Sequence, residues 1–378
     1  MGGPGRSPRA RPRRAPHLMA GAVLHVVGAR PNFMKLATVH HALARHDAAQ
    51  MVVHTGQHYS AGMSDVFFSQ LGLPEPDVNL EVGSASHAVQ TARIIERIEP
   101  VLLASQPRCV VVYGDVNSTV AAALVAAKLG LPLAHVEAGL RSRDRSMPEE
   151  INRLVTDSLA DVLYTPSADG NENLRAEGIA DSRIVCVGNV MIDTLVRLLP
   201  VAAAAWDETW RARVPTRYGL VTLHRPSNVD APAVLLPLCE ALLEIGAVLP
   251  LVFPVHPRTL ARMDSKRLTG GQVHLMEPVG YVEFLALQQH ATVVVTDSGG
   301  IQEETTYLGV PCLTVRENTE RPVTVTIGTN QLVGRDLRRL VDEARAIAGG
   351  RRKSGAIPPL WDGLAGERIA SDLLARVP

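Results

Sequence analysis

Residues 110–139 read VVVYGDVNSTVAAALVAAKLGLPLAHVEAG and contain a strand, a helix and a second strand in one stretch. Residues 110–113 and 133–135 are short apolar runs, as expected of strands that are buried on both faces of a parallel sheet. Residues 118–129, between them, have a helical pattern. Strands that alternate with helices in this way predict a doubly wound α/β fold.

The same alternation extends along the rest of the chain. In the first half, further strands are predicted at residues 23–27, 51–54, 162–164 and 184–187, and a helix at residues 149–159. Residues 198–210 are alanine-rich and contain Pro200, and we interpret them as a linker. The pattern then restarts, with strands at 219–223, 251–255, 273–275, 292–296 and 312–315 and helices at 234–245, 282–289, 301–308, 336–348 and 366–376. Two α/β domains in tandem would face each other across a cleft, where a ligand is expected.

The predicted domain boundaries follow from this restart. Residues 20–198 form the first domain, residues 199–363 the second, and the helix in residues 364–378 packs back on the first. Residues 1–19 are rich in Pro, Gly and Arg, with five arginines and no acid, and are predicted to be a disordered tail. We interpret them as a solvated tail or as the result of a start assigned upstream of Met19. They lack the apolar core of a secretion signal, and their prolines disfavour the amphipathic helix of an organelle transit peptide.

The composition excludes several classes of function. Hydrophobic residues are 46% and charged residues 20% of the chain, which is typical of a soluble globular protein. The formal net charge is zero, from 38 basic and 38 acidic residues, and gives no general attraction to nucleic acid or an anionic membrane. Aromatic residues are only 4%, too few for a base-stacking platform. The four cysteines form no C-x-x-C pair, so we expect core thiols in a reducing compartment and no metal site.

A glycine turn in the second domain is typical of a phosphate-binding site. Residues 296–304 read TDSGGIQEE, in which a strand ends, two glycines turn the chain and a helix begins. Ser298 and the amides of Gly299 and Gly300 would lie at the positive end of that helix, which suits a diphosphate. Glu303 and Glu304 are expected in the first helical turn, where one of them could reach a ribose hydroxyl. Simple capping of the helix is the alternative interpretation.

Two further strand ends carry basic residues. Residues 28–31, GARP, directly follow the first strand, and Arg30 offers a bidentate contact to phosphate. The segment lacks the G-x-G-x-x-G dinucleotide fingerprint, so it favours no nicotinamide cofactor. His224 and Arg225 follow the first strand of the second domain and suit a departing phosphate. Arg316 and Arg321 are expected to add positive charge to the same cleft.

Three carboxylates are predicted to meet at the cleft from the first domain. Asp115 and Glu137 each follow a strand, so both should lie at the same edge of the sheet, and Glu149 follows Pro148 at a helix start. Converging acids raise one another's pKa and can divide into acid and base roles. The alternative for each residue is a helix cap or a salt-bridge partner.

These segments together resemble one family. GARPNFMK, TGQHYSAGM, VYGDVNST, HVEAGLRSRDRSMPEEINR, GNVMIDT, LHRPSNVD, TDSGGIQEE and RENTERPVTV occur in the order found in the non-hydrolysing UDP-N-acetylglucosamine 2-epimerases, over residues 21–378. The resemblance implies two Rossmann-like domains of the glycosyltransferase-B type, in a cytoplasmic homodimer without a cofactor. It implies interconversion of UDP-GlcNAc and UDP-ManNAc, the latter for surface polysaccharide synthesis, with 2-acetamidoglucal and bound UDP as the intermediate.

The resemblance also implies roles for individual residues. The catalytic residues implied are Asp115, Glu137, Glu149 and His224. The substrate contacts implied are Arg30, Lys35, Ser298, Gly299, Gly300, Glu303 and Arg321. Gln57, His58 and Arg141 match parts of a second UDP-GlcNAc site that activates some bacterial members, although residues 59–62, YSAG, differ from the common bacterial pattern.

Three alternatives share this architecture. A hydrolysing 2-epimerase would release ManNAc and UDP from the same nucleotide site. A glycosyltransferase would pass the sugar to an acceptor, but it has no evident need for so many carboxylates at the strand ends of the first domain. A nucleotide-sugar sensor would keep the cleft and lack the chemistry.

Overall fold

The computed structural model describes residues 20–57, 71–263, 268–270 and 272–377. The predicted tail at residues 1–19 and the candidate residue His58 lie outside the described residues. Within these ranges no helix combines the length and apolar character that a membrane crossing needs.

The first half of the chain forms a seven-stranded parallel sheet. Its strand order is β3-β2-β1-β4-β5-β6-β7. The strands are β1 (Val23–Val27), β2 (Gln50–His54), β3 (Val78–Asn79), β4 (Cys109–Tyr113), β5 (Leu133–Val136), β6 (Val162–Thr165) and β7 (Ile184–Cys186). The helices are α1 (Arg30–Arg45), α2 (His87–Ser105), α3 (Asn117–Lys128), α4 (Pro148–Leu159), α5 (Ala168–Ala176) and α6 (Val190–Ala205). The central strands β1, β4 and β5 are buried along their whole length, because helices cover both faces of the sheet.

The second half forms a six-stranded parallel sheet of order β10-β9-β8-β11-β12-β13. Its strands are β8 (Gly219–Thr222), β9 (Leu251–Pro254), β10 (Val273–Met276), β11 (Val293–Thr296), β12 (Cys312–Thr314) and β13 (Asn330–Leu332). The helices are α7 (Pro226–Val229), α8 (Pro232–Gly246), α9 (Pro257–Leu260), α10 (Tyr281–Gln289), α11 (Gly299–Leu308), α12 (Pro322–Thr326), α13 (Leu337–Ala348) and α14 (Ala365–Arg376). Two parallel sheets with alternating helices confirm the predicted α/β class.

Residues 198–210, which we interpreted as a linker, connect the two sheets as a helix. Helix α6 runs through Pro200 to Ala205, and one π-helical turn continues it to Trp210. Alanine is the strongest helix former, and Leu198 and Ala202 bury one face of the helix. This burial offsets the backbone hydrogen bond that Pro200 cannot donate. A continuous helix therefore connects the two sheets.

Helix α14 lies against the first half of the chain. It packs on α1 and α6, and its residues Ile369 and Leu373 are fully buried. Asp193 of α6 accepts hydrogen bonds from the backbone N–H groups of Ala365 and Gly366, at 3.1 and 2.7 Å. A carboxylate at a helix start satisfies amides that have no partner within the helix.

A histidine lies in the core of the first sheet. His25 of β1 is 0% exposed, with Nδ1 2.8 Å from the Tyr113 hydroxyl and Nε2 3.1 Å from Oε1 of Gln50. Burial, together with the nearby His40, lowers its pKa from 6.5 to about 3. The folded protein therefore holds His25 neutral at pH values where the unfolded chain protonates it.

This burial predicts a specific loss of stability in acid. As the pH falls from 6.5 toward 3, His25 should lower the free energy of unfolding by up to about 1.4 kcal/mol per pH unit, because only the unfolded chain binds the proton. Urea unfolding between pH 7 and pH 4 measures this slope for the parent and for His25→Asn. The variant should show a shallower dependence on pH, and a slope equal to that of the parent would contradict the explanation.

Candidate functional site

A cavity of about 1000 Å³ lies between the two halves of the chain. The first half contributes residues that follow β4 and β5 and the start of α4, and the second half contributes residues that follow β8 and β11. Both sheets therefore turn their carboxyl ends toward the cavity, which is where open α/β sheets bind ligands.

The three predicted carboxylates line this cavity together. Asp115 and Glu137 come directly after β4 and β5, and Glu149 is the second residue of α4. Glu137 has a φ of 70°, in the left-handed region that a residue with a Cβ seldom adopts. Such a conformation persists only where the surrounding contacts impose it.

Two cations of the first half pair with two of these carboxylates. Lys35 of α1 is paired with Oε2 of Glu137, and both side chains are buried. Arg153 of α4 contacts Oδ2 of Asp115 at 2.6 Å and Oε2 of Glu150 at 2.8 Å. Glu150 also accepts hydrogen bonds from the Ser142 amide and hydroxyl, so its carboxylate is held in place and in turn positions the Arg153 guanidinium.

The expected rise in the pKa of Asp115 does not occur. Burial alone would raise the pKa of this carboxyl, but the charges of Arg153, Lys35 and Arg321 outweigh it and hold the pKa below 3.8. The three cations lie on other elements of the fold and outweigh any effect of the neighbouring acids on this pKa. Asp115 is therefore a carboxylate at neutral pH.

Arg321 links the acids of the two halves. Its Nη2 atom lies 3.3 Å from Oε1 of Glu137, and its Nε atom lies 2.8 Å from Oε1 of Glu303. A third carboxylate, Glu320, lies 3.4 Å from Nη1. Surrounded by these acids, Arg321 has a pKa raised further above its ordinary value, although burial opposes the rise. The predicted positive charge at this position is present, and it is already shared among three carboxylates.

The glycine turn has the predicted geometry. Ser298 is the residue before α11, and it lines the cavity with Gly299 and Gly300. A Cβ atom added to Gly299 would lie 2.6 Å from Nη1 of Arg321, so glycine is needed where the turn passes this guanidinium. The first amides of α11 thus adjoin the cation that bridges both halves, and this arrangement suits an anion.

A buried carboxylate joins the turn to the loop after β8. Asp297 is 0% exposed and accepts hydrogen bonds from the backbone N–H groups of His224 and Arg225 and from Asn228. The side chain of His224 is 57% exposed and lines the cavity, with Nδ1 3.2 Å from Oδ1 of Asp297. Asp297 therefore orients the His224 side chain beside the turn.

The expected positions of two glutamates are wrong. Helix α11 begins at Gly299, so Glu303 and Glu304 lie in its second turn, because the two glycines themselves form the first. Burial raises the pKa of Glu303, which is opposed by Arg321. Burial also raises the pKa of Glu304 to about 7, against the hydrogen bond that its Oε1 accepts from the Tyr281 hydroxyl at 2.9 Å. Both side chains line the cavity from the second half.

Comparison with known proteins identifies the family. The profile of the family described as UDP-N-acetylglucosamine 2-epimerase matches residues 41–374. A UDP-N-acetylglucosamine 2-epimerase from Methanocaldococcus jannaschii is 41% identical over 356 residues, which cover 91% of this chain and 96% of that protein. The chain belongs to the UDP-N-acetylglucosamine 2-epimerase family.

A solved structure and a second relative are named for the ligands that they bind or act on. The crystal structure of the M. jannaschii UDP-GlcNAc 2-epimerase with UDP-GlcNAc and UDP matches with a TM-score of 0.83 and 40% identity, over 94% of this chain and 99% of that one. A UDP-2,3-diacetamido-2,3-dideoxy-D-glucuronate 2-epimerase from Pseudomonas aeruginosa is 42% identical over 336 residues, covering 86% of this chain and 92% of that protein. The fold is of the glycosyltransferase-B type, as predicted.

The remaining residues predicted from the family resemblance do not all lie at the cavity. Lys35 lines it, and Arg30 begins α1 with a side chain outside the described part of the structure. Gln57 and Arg141 are absent from its lining. Gln57, which follows β2, accepts a hydrogen bond at 2.8 Å from the Ser118 hydroxyl of α3. Because the activator site is predicted to lie beside the catalytic one, the role of Gln57 and Arg141 in such a site stays a prediction.

Arg141 and Arg316 are both buried in ion pairs with carboxylates of the protein. The side chain of Arg141 is buried against Asp157 and Glu177, at 2.7 and 2.6 Å. Arg316 was expected in the cleft, but it is buried and bonds both oxygens of Glu320. This pairing places the charge of Arg316 behind the cavity, where it holds Glu320 against Arg321.

The cavity residues that the sequence did not predict include Arg153, Glu320 and Tyr281, which contact residues that it did single out. One signal was available for Arg153, which follows Glu149 by four positions and Glu150 by three on a predicted helix. This spacing places charged side chains on one helix face. Glu320 and Tyr281 offer no such local signal, because their partners lie on other elements.

The contact between Arg153 and Asp115 predicts a measurable change in acidity. Arg153→Gln removes the nearest positive charge, so the pKa of Asp115 should rise by about one to three units. The ¹³C NMR titration of protein labelled at aspartate carboxyls measures this pKa. Arg145→Gln, which alters an exposed arginine of the same segment, should leave it unchanged. If the pKa of Asp115 is unchanged in Arg153→Gln, Lys35 and Arg321 alone are enough to lower it, and Arg153 does not have the role assigned to it.

Proposed function

We propose that this protein interconverts UDP-GlcNAc and UDP-ManNAc by inverting C2 of the sugar, without hydrolysis. One observation above the others supports the proposal. Asp115 and Glu137 of the first half and residues 298–300 of the second half line the same cavity. A diphosphate held at the turn would place its sugar among the carboxylates.

The chemistry explains why both groups are needed. The hydrogen on C2 is not adjacent to a carbonyl, so a carboxylate cannot remove it alone at neutral pH. If the bond from C1 to the UDP oxygen breaks as C2 loses its proton, the product is 2-acetamidoglucal with UDP still bound. Return of a proton to the other face of C2 and re-addition of UDP to C1 complete the inversion. Every proton and bond is restored, so the reaction has no net oxidation.

The second half supplies the groups for the departing diphosphate. Residues 298–300 and His224 line the cavity. The glycine amides, the Ser298 hydroxyl and the His224 ring would stabilise the negative charge that develops on UDP. Among the described residues, Oε2 of Glu303 is buried and has no hydrogen-bond partner. This oxygen is available to accept a hydrogen bond from a ribose hydroxyl.

The first half supplies the groups for proton transfer. Asp115 is ionised because Arg153, Lys35 and Arg321 lower its pKa, and an ionised carboxylate can accept the proton from C2. Glu137 and Glu149 are the other carboxylates of the same half at the cavity. Inversion needs a proton donor on the opposite face of the sugar, and these two residues are the candidates for it.

The substrate has a second candidate. The P. aeruginosa relative, which is 42% identical, is named for a diacetamido uronate that also inverts at C2. The same elimination applies to both sugars, because they share the C1 leaving group and the C2 acetamido group. They differ at C3 and C6, so turnover of the two substrates by one enzyme preparation distinguishes them.

The resemblance also leads us to infer a cytoplasmic homodimer that supplies UDP-ManNAc for polysaccharide synthesis. A nucleotide sugar made for polymer synthesis is consumed by glycosyltransferases, so the two activities belong in one compartment. Analytical ultracentrifugation of the full chain tests the dimer, and a monomer at micromolar concentration would contradict it.

The proposed reaction predicts that deuterium enters the sugar. When the protein is incubated with UDP-GlcNAc in heavy water, NMR should show deuterium at C2 and accumulation of UDP-ManNAc. Release of free ManNAc would instead indicate a hydrolysing epimerase. No change without an acceptor would indicate a glycosyltransferase or a sensor. In a parallel incubation with the UDP-linked diacetamido uronate, turnover of that sugar and not of UDP-GlcNAc would identify it as the substrate.

The roles of the carboxylates predict a separation of binding from chemistry. Asp115→Asn and Glu137→Gln should each lower C2 exchange at least about 100-fold, because they remove a proton-transfer group. The Kd for UDP, measured by calorimetry, should change by less than about threefold, because residues 298–300 are unaltered. Glu96→Gln, an exposed acid on α2, is the control and should match the parent. Exchange at the parent rate in either variant would remove that residue from the mechanism.

A further inference from the structure

His135 connects the two strand ends that carry the candidate catalytic acids. It lies on β5, two residues before Glu137, and is 0% exposed. Its Nε2 atom is 2.8 Å from the carbonyl oxygen of Gly114, and its Nδ1 atom is 2.6 Å from Oδ1 of Asp157 on α4. His135 and Asp157 are both absent from the lining of the cavity, so they act on a ligand only through other residues.

Both ring nitrogens of His135 face hydrogen-bond acceptors. A carbonyl oxygen can only accept, and an ionised carboxylate can only accept. Burial alone would raise the pKa of Asp157, but His135 and Arg141 outweigh it and lower this pKa, so Asp157 is ionised. Asp157 also pairs with Arg141, which in turn pairs with Glu177, so the carboxylate beside His135 is held by more than one partner.

This network holds the backbone on one side of each candidate acid. Gly114, whose carbonyl accepts from His135, directly precedes Asp115. Oδ2 of Asp157 accepts a hydrogen bond at 3.1 Å from the backbone N–H of Gly139, two residues after Glu137. Gly114, Glu137 and Gly139 all have φ between 60° and 80°. Because Glu137 is disfavoured in this region, its conformation depends on contacts such as these.

We propose that His135, held by Asp157, is a positioning residue that sets the separation of the Asp115 and Glu137 carboxylates. It anchors Gly114 on one strand and, through Asp157, Gly139 on the next. The inference rests on the proposed function, because the separation matters for a proton that leaves one face of the sugar and returns to the other. A displacement of about 1 Å in such a group can lower a rate about 100-fold.

Two substitutions at His135 separate its two hydrogen bonds. The amide nitrogen of glutamine lies near the position of Nε2, and that of asparagine lies near the position of Nδ1. His135→Gln therefore keeps the bond to Gly114, and Asp157 remains held by Arg141 and Gly139. His135→Asn keeps the bond to Asp157 and releases Gly114.

The two variants should differ in kcat and agree in KM. His135→Asn should lower kcat for C2 exchange about 10- to 100-fold. His135→Gln should recover kcat to within about fivefold of the parent, and both variants should keep KM and the Kd for UDP within about threefold. Parent-like kcat in His135→Asn would overturn the proposal. Equal losses of kcat in the two variants would also overturn it.

His25→Asn is the control for a general loss of stability. It alters another fully buried histidine of the same sheet, whose hydrogen bonds go to the Tyr113 hydroxyl and to Gln50. We expect it to lower Tm about as much as His135→Asn does, with kcat within about twofold of the parent. If kcat instead falls in proportion to Tm in all three variants, His135 has only a structural role.

Crystal structures of the variants with UDP test the positioning without reference to activity. In His135→Asn the Asp115 carboxylate should shift by about 1 Å relative to the parent, whereas in His135→Gln it should stay in place. An unshifted carboxylate in His135→Asn would overturn the proposal. If the parent enzyme exchanges no deuterium at C2, the proposed function fails, and the shift of Asp115 still decides whether His135 positions it.

Discussion

The rest of the cavity depends on the ion pairs that the Arg321 guanidinium makes with carboxylates of both halves. This guanidinium lies between Glu137 of the first half and Glu303 of the second, at 3.3 and 2.8 Å, and it is 184 residues from Glu137 in the chain. Without this cation the carboxylates of the two halves would repel each other across a space from which water is partly excluded. Arg321 thus joins the two halves and offsets the repulsion between their carboxylates.

The charge balance explains how one cavity can serve two tasks. In the reaction that we propose, a departing diphosphate needs positive charge, whereas proton transfer at the neighbouring carbon needs carboxylates. Lys35 and Arg153 pair with Glu137 and Asp115 of the first half, and α11 of the second half begins at the cavity with Gly299 and Gly300. Different elements therefore meet the two requirements, and Arg321 contacts acids of both halves of the chain.

The sequence predicted the fold and the strand ends better than it predicted the contacts between them. Apolar runs located the buried strands, and polar residues after β4, β5 and β11 located the cavity, since parallel strands end at one edge. The helix through Pro200 was missed because one proline was given more weight than the buried apolar face around it. The lowered pKa of Asp115 could not be predicted, because its cations come from α1, α4 and a loop after β12. Charge in a cavity is set by residues distant in the chain, and one sequence contains no record of which of them meet.

The most direct measurement is the crystal structure of the protein with UDP bound. The account predicts that the diphosphate lies within hydrogen-bond distance of the amides of Gly299 and Gly300, with Asp115 and Glu137 facing its outer end, where the sugar would be attached. A nucleotide bound away from residues 298–300, or bound there with both carboxylates turned from the diphosphate, would contradict the account.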